Sequence, residues 1–287
     1  MADSSQGTSQ AKPKFRTTRP DIASILGILV ALGALLGGLI MDGGKVSDVT
    51  QVTAAIIVLG GTLGAVMVTS PLSSLIAAAA GLKRVFFEDV INTEAAIDEI
   101  VGYATKARKS SLISLEEDLE KIDDPFLKKA LTLAVDGTDL QELRKMVELD
   151  LVQAEKKAEA EAKVFEAAGG YSPTIGIIGA VMGLIQVMKH LENIEEVGKG
   201  IAIAFVATVY GVAAANLLFL PCANKLKTRG QKDVQLKELL LEGVSSILEG
   251  MNPKLIRVKL SAFADGEAPA PEKDKAPRAA RTVAAQG

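Results

Sequence analysis

The sequence predicts an all-α membrane protein with four transmembrane helices and a cytoplasmic helical region. Four segments, roughly 22–41, 51–70, 171–188 and 200–221, are apolar and uncharged. Each is long enough to cross a bilayer, which takes about 20 residues at a rise of 1.5 Å. The charged residues fall almost wholly between and beyond these segments. With 287 residues, a mean hydropathy of +0.27 and no Trp, the composition departs from that of a soluble enzyme. The net charge of −3 averages over separate compartments and says little about partners.

Residues 1–19, rich in Ser, Gln and Lys, read as a flexible cytoplasmic arm. Residues 20–82 read as a transmembrane hairpin. Its first run follows Lys12, Lys14, Arg16 and Arg19, as a signal peptide would. Yet it is about 20 residues long rather than the roughly 7–15 of a signal core, and MDGGKVSD offers no small-residue cleavage site. The second helix ends near Ser70-Pro71, because a residue before proline disfavours helix. That leaves 72–82 to lie in the interface or on neighbouring helices.

Residues 83–168 read as cytoplasmic helices. One spans about 92–109, with Ile97, Val101 and Ala104 at helical spacing. Asp124-Pro125 opens a second and Gly137 closes it. Thr138 with Gln141 three residues on is a capping-box pattern, opening a long helix to about 168. Gly169-Gly170 is expected to interrupt before the second hairpin, 169–221, in which Pro173 stands near one helix start and Pro221 at the other helix end. A helical extension fills 222–264, broken at Gly250 and Asn252-Pro253. Residues 265–287, rich in Ala, Pro, Lys and Glu, read as a disordered tail.

Lys and Arg set the orientation. They crowd the N-terminal arm, the 83–168 region and the stretch after Pro221, whereas the 42–50 loop has only Lys45. Both termini are therefore expected in the cytoplasm. A single cysteine, Cys222, excludes an internal disulfide and a multi-cysteine metal site, and the lone His190 builds no metal site either.

None of the four apolar helices carries an ionisable side chain in its core, which a proton or sodium path normally needs. Alone, the chain is a poor ion carrier. Either it is a scaffold, or it lines a path whose carboxylate comes from another subunit. Small residues four apart (Gly33 and Gly37, Gly60 and Gly64, Gly179 and Gly183, Gly211 and Ala215) favour extensive helix contact. Thr208 has two readings: a hydroxyl bonded back to the Ala204 carbonyl, or one offered to a partner carboxylate or a hydrated ion. A solute transporter would need more polar groups at mid-membrane than Thr62, Thr208 and Asn216.

The stretch AFVATVYGVAAANLLFLP, 204–221, resembles the fourth-helix signature of the flagellar motor stator A subunit family, MotA/PomA, related to TolQ and ExbB. Ala213 departs from the larger apolar residue usual there. SPTIGIIGAVMG, 172–183, is similar to the family's third-helix proline motif, and IIVLGGTLGAVMV, 56–68, to its second helix. ARKSSLISLEED, 107–118, resembles its charged rotor-engaging loop. The resemblance spans about 20–260.

The resemblance implies a motility subunit of the bacterial inner membrane that is not an enzyme and needs no cofactor. It implies a homo-oligomeric ring, a pentamer, around two peptidoglycan-anchored, MotB-like B subunits that supply an ion-binding Asp. Pro173 and Pro221 would couple ion binding to movement, and Thr208 would face the partner's Asp. Arg108, Lys109, Glu116 and Glu117 would meet charges on the rotor switch complex. Ala180, where sodium-type relatives tend to have Thr, points to protons rather than Na⁺, which would want the lost oxygen ligand. Nucleic acid is not among the expected partners. The alternative reading is a proton-driven energiser of outer-membrane processes, of the ExbB/TolQ type, which has three spans rather than four.

Overall fold

The computed structural model describes residues 15–265 of the chain. Arg16–Pro20 form a strand, β1, antiparallel to β2 (Phe87–Ile91), with Arg16 opposite Ile91 and Pro20 opposite Phe87. The flexible arm expected over 1–19 is therefore corrected at its end, and residues 1–14 lie outside the described residues. Two forces hold the strand. Thr18 Oγ1 donates to Asp89 Oδ1 at 2.7 Å, and Arg16 pairs with Asp124 at 3.0 Å and Asp233 at 2.8 Å. Neither carboxylate is near Arg16 in sequence, so local composition gave no sign of the anchor.

Helix α1 (Ile22–Met41) starts at Asp21, whose carboxylate accepts from the Ser24 N–H at 3.0 Å, satisfying one of the free donors of the first turn. None of its residues is buried within the chain. The second span, α2 (Val46–Thr69), opens as a 3-10 turn, carries a π turn at Ile56–Gly60, and stops at Ser70 before Pro71 as expected. Gln51, at its α-helical start, makes no side-chain cap. Tyr210, far along the chain, serves instead. Its hydroxyl donates to the Val49 carbonyl at 2.6 Å and accepts from the Gln51 N–H at 3.3 Å. In a bilayer such backbone groups find no water, so this contact fixes where α2 docks.

Helix α3 (Leu72–Phe86) buries Ala78, Gly81 and Val85 on the neighbouring helices, the second of the two placements considered for 72–82. Helices α4 (Thr93–Ser110), α5 (Glu116–Leu119) and α6 (Pro125–Val135) follow. Asn92 and Asp124 cap α4 and α6, and Gly137 takes φ +80° just past α6. Helix α7 (Leu140–Lys189) is capped by Asp139, which accepts from the Gln141 N–H, and not by Thr138. The helix starts one residue later than the capping-box spacing places it, which makes Asp139 the cap.

The largest correction concerns continuity. Gly169-Gly170 does not interrupt α7, which runs unbroken for 50 residues through Pro173. Pro221 does not end the last long helix either. Helix α8 (Ile194–Leu248) covers 55 residues, passing a π turn at Ala214–Phe219 just before that proline. A proline in a helix loses one hydrogen bond and crowds the carbonyl four residues back, and a π turn gives the backbone room to absorb both. Gly169 is a packing residue: a Cβ there would lie 2.6 Å from Leu220 Cδ2, so glycine lets α7 and α8 close together.

Helix α9 (Pro253–Asp265) follows Gly250, at φ +68°. One core joins α4, α6, the start of α7, the end of α8 and α9, with Ile100, Leu127, Leu143, Leu240, Val244 and Leu260 fully buried. The regions 83–168 and 222–264, separate in sequence, thus fold as one polar body. The tail expected from 265 onward lies, past Asp265, outside the described residues.

Candidate functional site

Within the apolar half, α7 and α8 meet along glycine. Gly176, Gly179 and Gly183 of α7 face Gly200, Ala204, Ala207 and Gly211 of α8 closely enough that backbone meets backbone. A Cβ on Gly176 would lie 2.9 Å from the Ala207 carbonyl oxygen, and one on Gly211 would lie 2.6 Å from that of Ser172. Ser172, fully buried, donates its hydroxyl to the Gly211 carbonyl at 3.0 Å. The small-residue spacing at Gly179, Gly183 and Gly211 is accounted for inside one chain. At Gly33, Gly37, Gly60 and Gly64 an added Cβ would meet nothing within 4 Å.

This pairing sets the heights of the expected ion-path residues. Gly179 lies against Ala207, so Ala180 and Thr208, the next residues along antiparallel helices, come to about the same level. Both are half-buried. Thr208 Oγ1 donates to the Ala204 carbonyl at 3.2 Å, the local bond of the first reading. That bond spends the hydroxyl proton and leaves the oxygen lone pairs free to accept. Pro173 is half-buried and Pro221 exposed. With Gly169 on Leu220, the two prolines stand about 7.5 Å apart in height, under one and a half helical turns. The fold therefore stacks Thr208, Ala180, Pro173 and Pro221 along one helix pair. Thr62, by contrast, is 2% exposed and its hydroxyl has no partner among the described residues.

The four charged residues of the loop are all exposed. Arg108 and Lys109 sit in the last turn of α4, and Glu116 and Glu117 in the first turn of α5. Each pair complements the dipole of its own helix end. The corner between them is braced. Leu115 is fully buried, and Lys106 reaches Asp118 at 2.6 Å. Hydrogen bonding from Lys106, set against partial burial, holds the Asp118 carboxyl below its ordinary value.

Ser111 turns the corner at φ +89°, ψ 163°, a conformation adopted almost only by glycine. Its carbonyl accepts from the Ser114 N–H at 3.2 Å and the Ser114 hydroxyl at 2.6 Å. Replacing Ser111 by glycine should relieve about 1–2 kcal/mol of strain and raise the melting temperature of the purified protein. Valine there should lower it.

Sequence reasoning missed Ser172, Tyr210 and the ion cluster of Asp21, Lys225 and Arg229, in which Asp21 is buried. Their partners lie 39, 161 and 208 residues away, beyond any local pattern. Cys222 is buried and free, and His190 is exposed at the end of α7. Among the described residues no group of His, Cys, Asp and Glu could hold a metal ion.

Comparison with known proteins matches residues 118–239 to the MotA/TolQ/ExbB proton channel family and 25–110 to the motility protein A N-terminal domain. The chain is 37% identical to motility protein A of Bacillus subtilis over 247 residues, covering 85% of this chain and 90% of the relative. It is 28% identical to the chemotaxis protein PomA of Vibrio alginolyticus, covering 82% and 92%. Among solved structures, the C. jejuni MotAB structure aligns with a TM-score of 0.81 at 30% identity, over 90% of this chain and 99% of that one. The flagellar MotAB stator complex of Bacillus subtilis aligns with a TM-score of 0.77 at 38% identity, over 84% and 94%.

Proposed function

Because the chain belongs to the motility protein A family, within the MotA/TolQ/ExbB proton channel family, we propose that it is the A subunit of a flagellar motor stator that turns ion flow into torque. The observation that carries this is the match to MotAB stators over nearly the whole chain, with the first hairpin included. An ExbB/TolQ-type energiser has no counterpart for that hairpin, which matches the motility protein A N-terminal domain.

The protein is a multi-pass membrane protein that assembles with a MotB-like partner. In our reading both termini lie in the cytoplasm, five copies form the ring, and the coupling ion is the proton. A partner aspartate is protonated from outside and loses its charge. Its helix then repacks against the face that carries Thr208 and Ala180, and the strain passes to Pro173 and Pro221. The helices α7 and α8 run unbroken from the apolar half into the polar body, so motion at the prolines reaches the core they share with α4 and α6, and through that packing the loop bearing Arg108 and Glu116. Moving one charge through 100 mV supplies about 2.3 kcal/mol, enough to bias a two-state packing change roughly 50-fold. No covalent chemistry is required.

Deleting this gene alone, and any second stator set with it, should leave flagellar filaments intact on cells that cannot swim. Normal swimming with impaired nutrient uptake or a leaky outer membrane would instead favour the energiser. For the loop, Arg108→Glu should cut swimming several-fold while the protein reaches the membrane at normal level. Because the side chain is exposed, the loss should be read in torque and not in stability. Unchanged torque in Arg108→Glu and Glu116→Lys would remove these residues from the rotor contact.

A further inference from the structure

The outer face of α8 carries one exposed stripe through Ile201, Phe205, Val209, Val212 and Asn216. Its spacing of four, four, three and four is that of a single helix face. Thr208 is half-buried on the flank of the stripe. Four of the five residues are apolar, and the fifth is an amide inside the apolar span. Asn216 stands five residues before Pro221, and nine before Lys225, the next charged side chain. At 1.5 Å per residue it lies about 13 Å deeper than that lysine.

The amide is oriented. Its nitrogen donates to the Val212 carbonyl at 2.9 Å, and since a carbonyl can only accept, the nitrogen end is fixed against the helix. The amide oxygen is left as the free end on the exposed stripe. The π turn Ala214–Phe219 surrounds it, and Pro221, five residues on, carries no N–H. An exposed amide oxygen in hydrocarbon has no hydrogen-bond donor, and polar side chains at membrane depth face protein or water-filled cavities rather than lipid. Thr208 offers an acceptor about 12 Å further from the polar body on the same helix.

We infer that Asn216 is a second polar rung of the ion path, on the polar-body side of Thr208, its amide oxygen accepting from water that carries the proton away. This rests on the stator reading. It adds an exit step to it: a proton released near Thr208 must cross the remaining apolar depth, and Asn216 holds a solvating water midway.

The test uses the full chain with its B partner in cells lacking their own stators. Torque is recorded against external pH, and the assembled complex is quantified by co-purification. Asn216→Leu should assemble normally and slow rotation roughly five- to tenfold, the factor one hydrogen bond is worth, with a shifted pH dependence. Asn216→Gln, which keeps an amide oxygen, should recover most of the speed and the wild-type pH profile. Full speed in Asn216→Leu at every pH overturns the inference. So does a loss of assembled complex in both Asn216→Leu and the smaller Asn216→Ala, which would make the residue a subunit contact. A wild-type chain that restores no torque sinks the stator reading instead.

Discussion

Replacing Gly183 by valine should abolish the α7–α8 pair and with it all torque. A Cβ at this position would lie 2.7 Å from the Gly200 carbonyl oxygen, 2.8 Å from the Ala204 nitrogen and 3.1 Å from the Ala204 Cα. All three are backbone atoms, so no side chain can rotate away. The helices would have to separate along their whole contact, which would also break the Ser172–Gly211 hydrogen bond. Overpacking a tight core costs about 1–3 kcal/mol, and more where the obstacle is backbone. In lipid no hydrophobic force compensates, because close packing itself holds the helices together. The measurement is recovery of folded protein in mild detergent together with swimming. Gly170→Ala is the matched control: nothing lies within 4 Å of its added Cβ, and it should be neutral or stabilising by up to about 1 kcal/mol. If both variants behave alike, close packing at Gly183 is not what holds the pair.

Removing the Asp21 carboxylate should be nearly as damaging, for an electrostatic reason. Asp21 is 5% exposed and pairs with both Lys225 and Arg229, while Arg229 also donates to the Phe87 carbonyl at 2.6 Å. The cluster ties the start of α1 to α8 at the edge of the apolar half. Asp21→Ala leaves Arg229 inward without its counter-charge, which costs about 3–5 kcal/mol, and deletes the α1 cap. The melting temperature of the purified protein should fall sharply.

The same cluster sets an acid limit. Burial pushes the Asp21 carboxyl upward. The Lys225 and Ser24 hydrogen bonds and the two positive charges outweigh it, holding the pKa at about 2 against 3.8 for the free group. A carboxyl lowered on folding stabilises fully above its unfolded pKa. Its contribution is therefore present above about pH 4 and lost as pH falls towards 2. Thermal melts between these values should show that loss in the wild-type chain, and a smaller one in Asp21→Ala.

What could be read locally was read well. The apolar runs, Ser70-Pro71, the Asp124 cap, and Gly137 and Gly250 all act where their residue types place them, because each depends on neighbours within a few positions. Gly169-Gly170 and Pro221 were misread as breaks. Pro173 sits inside a continuous helix, and Gly169 serves a packing contact with Leu220, since both are decided by the opposing helix. Thr208 and Ala180, two of the residues carried over from the family, come to about one level on α7 and α8, while the spacing of either motif gave no height relative to the other.

By itself, then, the sequence determined the number of spans, the ends of the first hairpin and the class of protein, because hydropathy and backbone preference are short-range and the bilayer fixes length. Only the tertiary structure decided that α7 and α8 are continuous levers, that residues 83–168 and 222–264 share one core, and that Asp21 meets Arg229. Those outcomes depend on pairings across tens to hundreds of residues, where burial and charge neutralisation outweigh the local cost of a proline or a glycine.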